Sequence, residues 1–237
     1  MKQIKTGVPG LDDVFKGGVH EGSSVLITGA PGTGKTILAL QFLHEGLKNK
    51  EPCLYISCEE SADSLRSYAK GVGLDIEKYE DGLLSIYEQD LTTKKIISIE
   101  SPLNEIRKRN IKRIVLDSLT LFEYVYYESE IDFRKGVLEF LRHAKKMGAT
   151  IFATSESLSL NIDEMKYSAQ EFLFEGLIHL SMIRKGSNFE RTLNVSKMKG
   201  QSHLLDIFPI SLTDKGMQVH TDQLPFSLIE RDYSKKG

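Results

Sequence analysis

Eight consecutive residues, Gly29, Ala30, Pro31, Gly32, Thr33, Gly34, Lys35 and Thr36, fit the spacing G-x-x-x-x-G-K-[ST]. Each residue type has a task toward a triphosphate. Gly32 and Gly34 can take positive φ and turn backbone N–H groups onto phosphate oxygens. Lys35 carries a point charge to the β- and γ-phosphates, and the Thr36 hydroxyl is placed to ligate Mg²⁺. With Ile37, which opens the apolar face of the following segment, these residues form the expected nucleotide-binding set.

A metal-phosphate centre also needs carboxylates, and two runs supply them. In IKRIVLDSLT, Asp117 emerges at the end of a buried strand, where open α/β sheets hold their ligands. It is the expected second organiser of the metal, acting through water; the competing reading is a helix cap. In CLYISCEES, Glu59 and Glu60 follow another strand, and one of them can polarise the water that attacks the γ-phosphate. Glu59 is favoured as the base, with Glu60 orienting; the competing reading is a solvated helix start.

These residues need a framework of strands and helices. SSVLIT, before the loop, reads as a buried strand, and Thr36 to Leu47 as a helix with a broad apolar face. CLYIS, GLLSIYEQ, IKRIVLD and GATIFATSE alternate with segments of helical period such as Phe133, Val137, Phe140, Leu141 and Ala144. That alternation predicts an α/β fold with a mainly parallel sheet. Beyond about Phe172 the runs are strand-like with short punctuation, and are expected to be antiparallel strands finishing the sheet edge. Leu11, Val14 and Phe15 predict a small helix stopped by Gly17 and Gly18.

Composition narrows the class. The chain has 237 residues, 40% of them hydrophobic, which suits one core. One domain over 1–237 is expected, with a lead-in at 1–22 and a tail at 222–237. No apolar run approaches the roughly 20 residues that span a bilayer, and MKQIKTGVPG lacks a signal-peptide core, so a cytoplasmic protein without membrane partners is expected. Cys53 and Cys58 are an odd number of residues apart in one strand-like run, which predicts buried thiols on opposite faces. The formal net charge of −2 exerts no general pull toward nucleic acid, and the six histidines lack zinc-ligand spacing.

Taken together, TGVPGLDDVFKGGVHEGSSVLITGAPGTGKT, CEES, IVLDSLT, TSE, EFLFEGLIHL and RTLNVSKMKGQSH resemble the KaiC-like branch of the RecA superfamily of P-loop ATPases, in family order over nearly the whole chain. The resemblance implies a RecA-like core, ATP and Mg²⁺ as ligands, and a homo-oligomeric ring, usually a hexamer, with nucleotide between subunits. It also implies that Lys197 and Lys199 reach the γ-phosphate held by a neighbouring subunit, as an arginine finger does. The competing reading is an edge strand guarded by lysines. Lys199 stands where the family commonly has Arg, which removes the planar fork. TSE lacks the basic residue that often follows it in relatives; Ser155 is the remaining γ-phosphate sensor.

The expected function is therefore a Mg-dependent ATPase acting as a regulatory or signalling switch, with a regulatory protein as partner. The alternative is a recombinase-like, DNA-dependent ATPase, whose DNA-facing loop would be Leu158 to Gln170. That loop has one Lys against Asp163 and Glu164, too little charge for several phosphate contacts. Arg142, His143, Lys145 and Lys146 read as dipole partners at a helix C-terminus. Self-phosphorylation is disfavoured because only Ser168 approaches the late strand. His44 is placed on the P-loop helix, and His203, after KMKGQS, is a candidate nucleotide contact. No Asn-Lys-x-Asp guanine motif occurs.

Overall fold

The computed structural model describes residues 2–88, 100–121, 130–157, 169–185 and 187–226. Its centre is a nine-stranded sheet in the order β11-β10-β9-β8-β3-β7-β6-β4-β5. The strands are β3 (Ser24–Gly29), β4 (Cys53–Ser57), β5 (Leu84–Glu88), β6 (Arg113–Asp117), β7 (Thr150–Glu156), β8 (Gly176–Lys185), β9 (Asn188–Met198), β10 (Phe208–Thr213) and β11 (Gly216–Val219). A separate two-residue pair, β1 (Gln3–Ile4) with β2 (Val19–His20), closes the lead-in. Strands β3 to β8 pair in parallel, and β9, β10 and β11 follow antiparallel. This is the mainly parallel α/β sheet that the alternation predicts.

Alternate residues of each strand feed two cores. Val25, Ile27, Cys53 and Tyr55 pack with α2 (Lys35–Lys48) and α3 (Ala62–Gly71). Leu26, Leu54, Ile56, Ile114 and Cys58 pack on the other face with α4 (Glu100–Arg109) and α5 (Glu130–Lys146). The two cysteines thus lie in opposite cores, free and buried, and burial pushes both thiols up, Cys58 to about 12. Helix α1 (Leu11–Val14) is followed by Gly17 and Gly18 at φ 126° and 123°, as expected. Among the described residues, no helix is long and apolar enough to cross a membrane.

Two details differ from the sequence reading. Helix α2 starts one residue earlier and ends one later than Thr36 to Leu47. Strand β8, expected among the antiparallel edge strands, pairs in parallel with β3 and antiparallel only with β9. It is an interior strand, so its apolar run reflects burial between neighbours rather than an edge hairpin.

Candidate functional site

Strand β3 ends at Gly29, and the chain turns through the loop into α2, whose N-cap is Gly34. Gly32 and Gly34 sit at φ 78° and 106°, the left-handed region expected of them. The two glycines are needed for different reasons. A Cβ on Gly34 would lie 2.8 Å from Met217 Cε and 3.1 Å from Leu212 Cδ1, whereas one on Gly32 would meet nothing within 4 Å. At Gly29 a Cβ would lie 2.4 Å from the Leu180 carbonyl oxygen, so the loop leaves the sheet in contact with β8.

A cleft of about 390 Å³ opens over this loop, lined by Lys35, Thr36, Glu59, Asp117, Glu156 and Leu212 among others. Lys35 Nζ donates to the carbonyl oxygens of Gly29 (2.9 Å) and Ala30 (3.2 Å). Its pKa is drawn down by burial, against the opposing pull of Glu156, Asp117 and Glu59. Among the described residues that line the cleft, Lys35 is the single cation.

Asp117 ends β6 beside β4 and β7, and 6% of it is exposed. Three hydroxyls converge on its carboxylate: Thr36 Oγ1 (2.9 Å) and Tyr55 OH (2.6 Å) donate to Oδ2, and Thr154 Oγ1 donates to Oδ1. Burial and then the Asp117 charge hold the Tyr55 phenol well above its ordinary pKa, so it is a fixed neutral donor. Tyr55 and Thr154 escape the sequence reading because each sits inside an apolar strand, with nothing local to mark it as a partner of Asp117.

The adjacent glutamates part. Glu59 faces the cleft and accepts a hydrogen bond from Ser118 Oγ. Glu60 is pinned by its backbone to Ser57, and its carboxylate accepts from Tyr68 OH at 3.3 Å. Ser155 is tied to Thr120 (3.1 Å) and Gln170 (3.0 Å), while the next residue, Glu156, lines the cleft.

Lys197 and Lys199 are not brought to this cleft in the same chain. Lys197 pairs with Leu177, itself level with Leu26, three residues before the Gly29 end of β3. A register shift between Leu177 and Ile178 also breaks the alternation of β9. Leu193 and Val195 face the α2 core, and unbroken alternation would put Lys197 there too. The bulge instead pairs it with Leu177 of the opposite core, where Lys197 Nζ donates to the Glu171 carbonyl oxygen at 2.9 Å. Burial, then Lys199, draws its pKa down. Lys199 is exposed. His203 has both ring nitrogens enclosed without a hydrogen-bond partner among the described residues.

On α5, Lys145 engages Glu175, consistent with a structural use of that basic end. The DNA-facing candidate loop from Leu158 through Ser168, and the tail beyond Phe226, lie outside the described residues.

Comparison with known proteins gives this geometry a family. A family model described as "ATPase: KaiC" matches residues 4–224. The chain is 32% identical over 244 residues to a UPF0273 protein of Pyrococcus furiosus, covering 94% of this chain and 96% of that protein. It is 31% identical over 230 residues to the circadian clock oscillator protein KaiC of Prochlorococcus marinus, covering 92% of this chain but 45% of the clock protein. Among solved structures, a KaiC-like protein of Pyrococcus horikoshii matches with a TM-score of 0.80 at 30% identity, covering 92% of this chain and 99% of that one.

Proposed function

The chain belongs to the KaiC family of P-loop ATPases, and from that membership we propose that it hydrolyses Mg-ATP at the interfaces of a homo-oligomeric ring, a hexamer by family resemblance, as a cytoplasmic switch read by a regulatory partner. The observation that carries this reading is the charge balance of the cleft. Lys35 there stands against Asp117, Glu59 and Glu156, so a bound triphosphate calls for further cations.

One is the metal. The Thr36 hydroxyl and the Asp117 carboxylate are hard oxygen donors 2.9 Å apart in the cleft, a set that suits Mg²⁺. When bound, Mg²⁺ would neutralise charge developing on the phosphate oxygens. Thr36 would ligate it directly and Asp117 through water, with Tyr55 and Thr154 holding the carboxylate in place. Glu59 takes the proton from the attacking water as its oxygen bonds the γ-phosphorus and ADP leaves. Lys35 tracks the phosphate charge.

The other cation comes from a second copy. The bulge in β9 turns Lys197 away from its own P-loop helix and Lys199 is exposed; a neighbour's γ-phosphate would draw the Lys197 ammonium from the Glu171 carbonyl oxygen it now meets. Mixing two defective variants tests this. Lys35→Ala spoils the loop and Lys197→Ala the donated cation; each alone should be inactive, and an equal mixture should recover about a quarter of wild-type hydrolysis, the random share of intact interfaces. A mixture as inactive as its parts, or full activity of Lys197→Ala, would defeat the trans assignment.

A further inference from the structure

A loop that binds anions through its N–H groups turns its carbonyl oxygens the other way, toward protein donors or water. Three of the loop's other carbonyls have donors, two of them from the loop and its helix alone. Gly29 O accepts from Lys35 Nζ and from Ser157 N (3.2 Å), Ala30 O from Thr33 Oγ1 (2.8 Å) and Lys35 Nζ, and Gly34 O from Leu38 N (3.0 Å). Gly32 O is different. Its donor is Arg191 Nε at 3.2 Å, from a residue 159 positions away on β9.

The sheet explains how Arg191 gets there. Gly29, the last residue of β3, is level with Leu180, but β8 runs on to Lys185 and β9 returns from Asn188. Arg191 pairs with Met182, two residues beyond Leu180, so this part of the hairpin overhangs the loop. Gly32 is exposed, has positive φ, and would meet no atom within 4 Å even with a Cβ. Packing therefore does not fix the tip of the loop. Among the described residues, the side chain that donates to its carbonyl is Arg191.

We propose that Arg191 is a positioning residue for the phosphate loop: it holds the Gly32 carbonyl outward and so keeps the Thr33 N–H turned into the loop. Because a peptide unit is planar and trans, the two groups point in opposite directions and holding one holds the other. The Thr33 N–H accordingly spans the loop toward Ala30 O, at a long 3.4 Å, leaving it able to exchange that partner for a phosphate oxygen. Arg191 acts on nucleotide through the loop, not by contact with the γ-phosphate. This rests on the loop being a nucleotide site, and not on the ring or the trans lysines.

Titration of the purified chain with ADP and with ATP, beside its thermal midpoint without nucleotide, tests the inference. Arg191→Ala is expected to weaken ADP and ATP alike, by about tenfold, the effect of one charge-assisted hydrogen bond, with the midpoint unchanged. Unaltered affinity for both would overturn it. So would a loss confined to ATP, which means direct contact with the γ-phosphate, or a lowered midpoint accompanying the loss, which means a general structural role. Wild-type protein that binds neither nucleotide would instead remove the reading beneath it, and the inference with that reading.

Discussion

Tyr55→Phe is the most discriminating change in the metal-organising cluster. It keeps the ring that fills the α2 core and deletes only the hydroxyl that donates to Asp117 Oδ2 at 2.6 Å. No cavity is created, so the usual large-to-small term is absent. What is lost is one hydrogen bond to a charged acceptor, worth about 1.5–3 kcal/mol, less the desolvation cost that the phenol no longer carries. A net loss of about 1–2 kcal/mol follows, lowering the melting temperature by about 4 °C for a chain of this size. Because the phenol pKa lies well above its ordinary value, the loss is the same from pH 7 to pH 9. Urea unfolding of wild type, Tyr55→Phe, Asp117→Asn and the double variant isolates the pair, and a coupling near 1 kcal/mol is expected between residues sharing one bond. Stability equal to wild type with no coupling would refute the idea that Tyr55 holds this carboxylate.

Two further outcomes follow from the site and the strand beside it. Gly34→Ala should weaken nucleotide binding more than Gly32→Ala, because at φ 106° its Cβ must also displace the ends of the Met217 and Leu212 side chains; Gly32→Ala, with nothing within 4 Å, meets only the backbone penalty of about 1 kcal/mol. Nucleotide titration of the two separates steric from conformational cost, and equal defects would contradict it. His179, 7% exposed and 3.0 Å from Ser196 Oγ, is drawn down by burial to about 4 from an ordinary 6.5. The unfolded chain therefore binds more protons between these values: stability is full above pH 6.5 and falls by roughly 3 kcal/mol as pH drops to 4. His179→Gln should flatten that slope in urea midpoints measured from pH 7 to pH 4.5, and parallel curves would count against it.

The sequence discloses the parts of the site that lie next to one another. GAPGTGKT carries its own turn chemistry, and Asp117 is visible because a charge interrupts a buried strand. Tyr55 and Thr154 are invisible because their role depends on which strands adjoin β6, and register between β4, β6 and β7 has no local signature. Arg113 shows the same limit. It reads as a charged strand flank, yet it is 1% exposed, paired with Glu51 at 2.6 Å and donating to the carbonyl oxygens of Lys5 and Phe42. Gly46 leaves it room: a Cβ there would come within 2.5 Å of its side chain. The α/β alternation was legible for a different reason, since burial on both faces makes each central strand uniformly apolar.

The place of Lys197 in β9 teaches the converse, that a correct local rule can give an incomplete geometry. Two residues apart on a regular strand face the same way, and from Leu193 and Val195 that rule carries Lys197 onto the α2 face. One extra residue in β9 reverses it, and Ser196, at the bulge, is hydrogen-bonded to the buried His179. Between Arg191, at the chain's own phosphate loop, and Lys197 lie about 18 Å of strand, with the bulge near the far end. Under the proposed assembly, β9 would thus meet two nucleotides, its own through the Gly32 carbonyl and the neighbour's through Lys197. A straight strand would turn both residues to the same face of the sheet; under that assembly the bulge would let a single strand serve both sides of an interface.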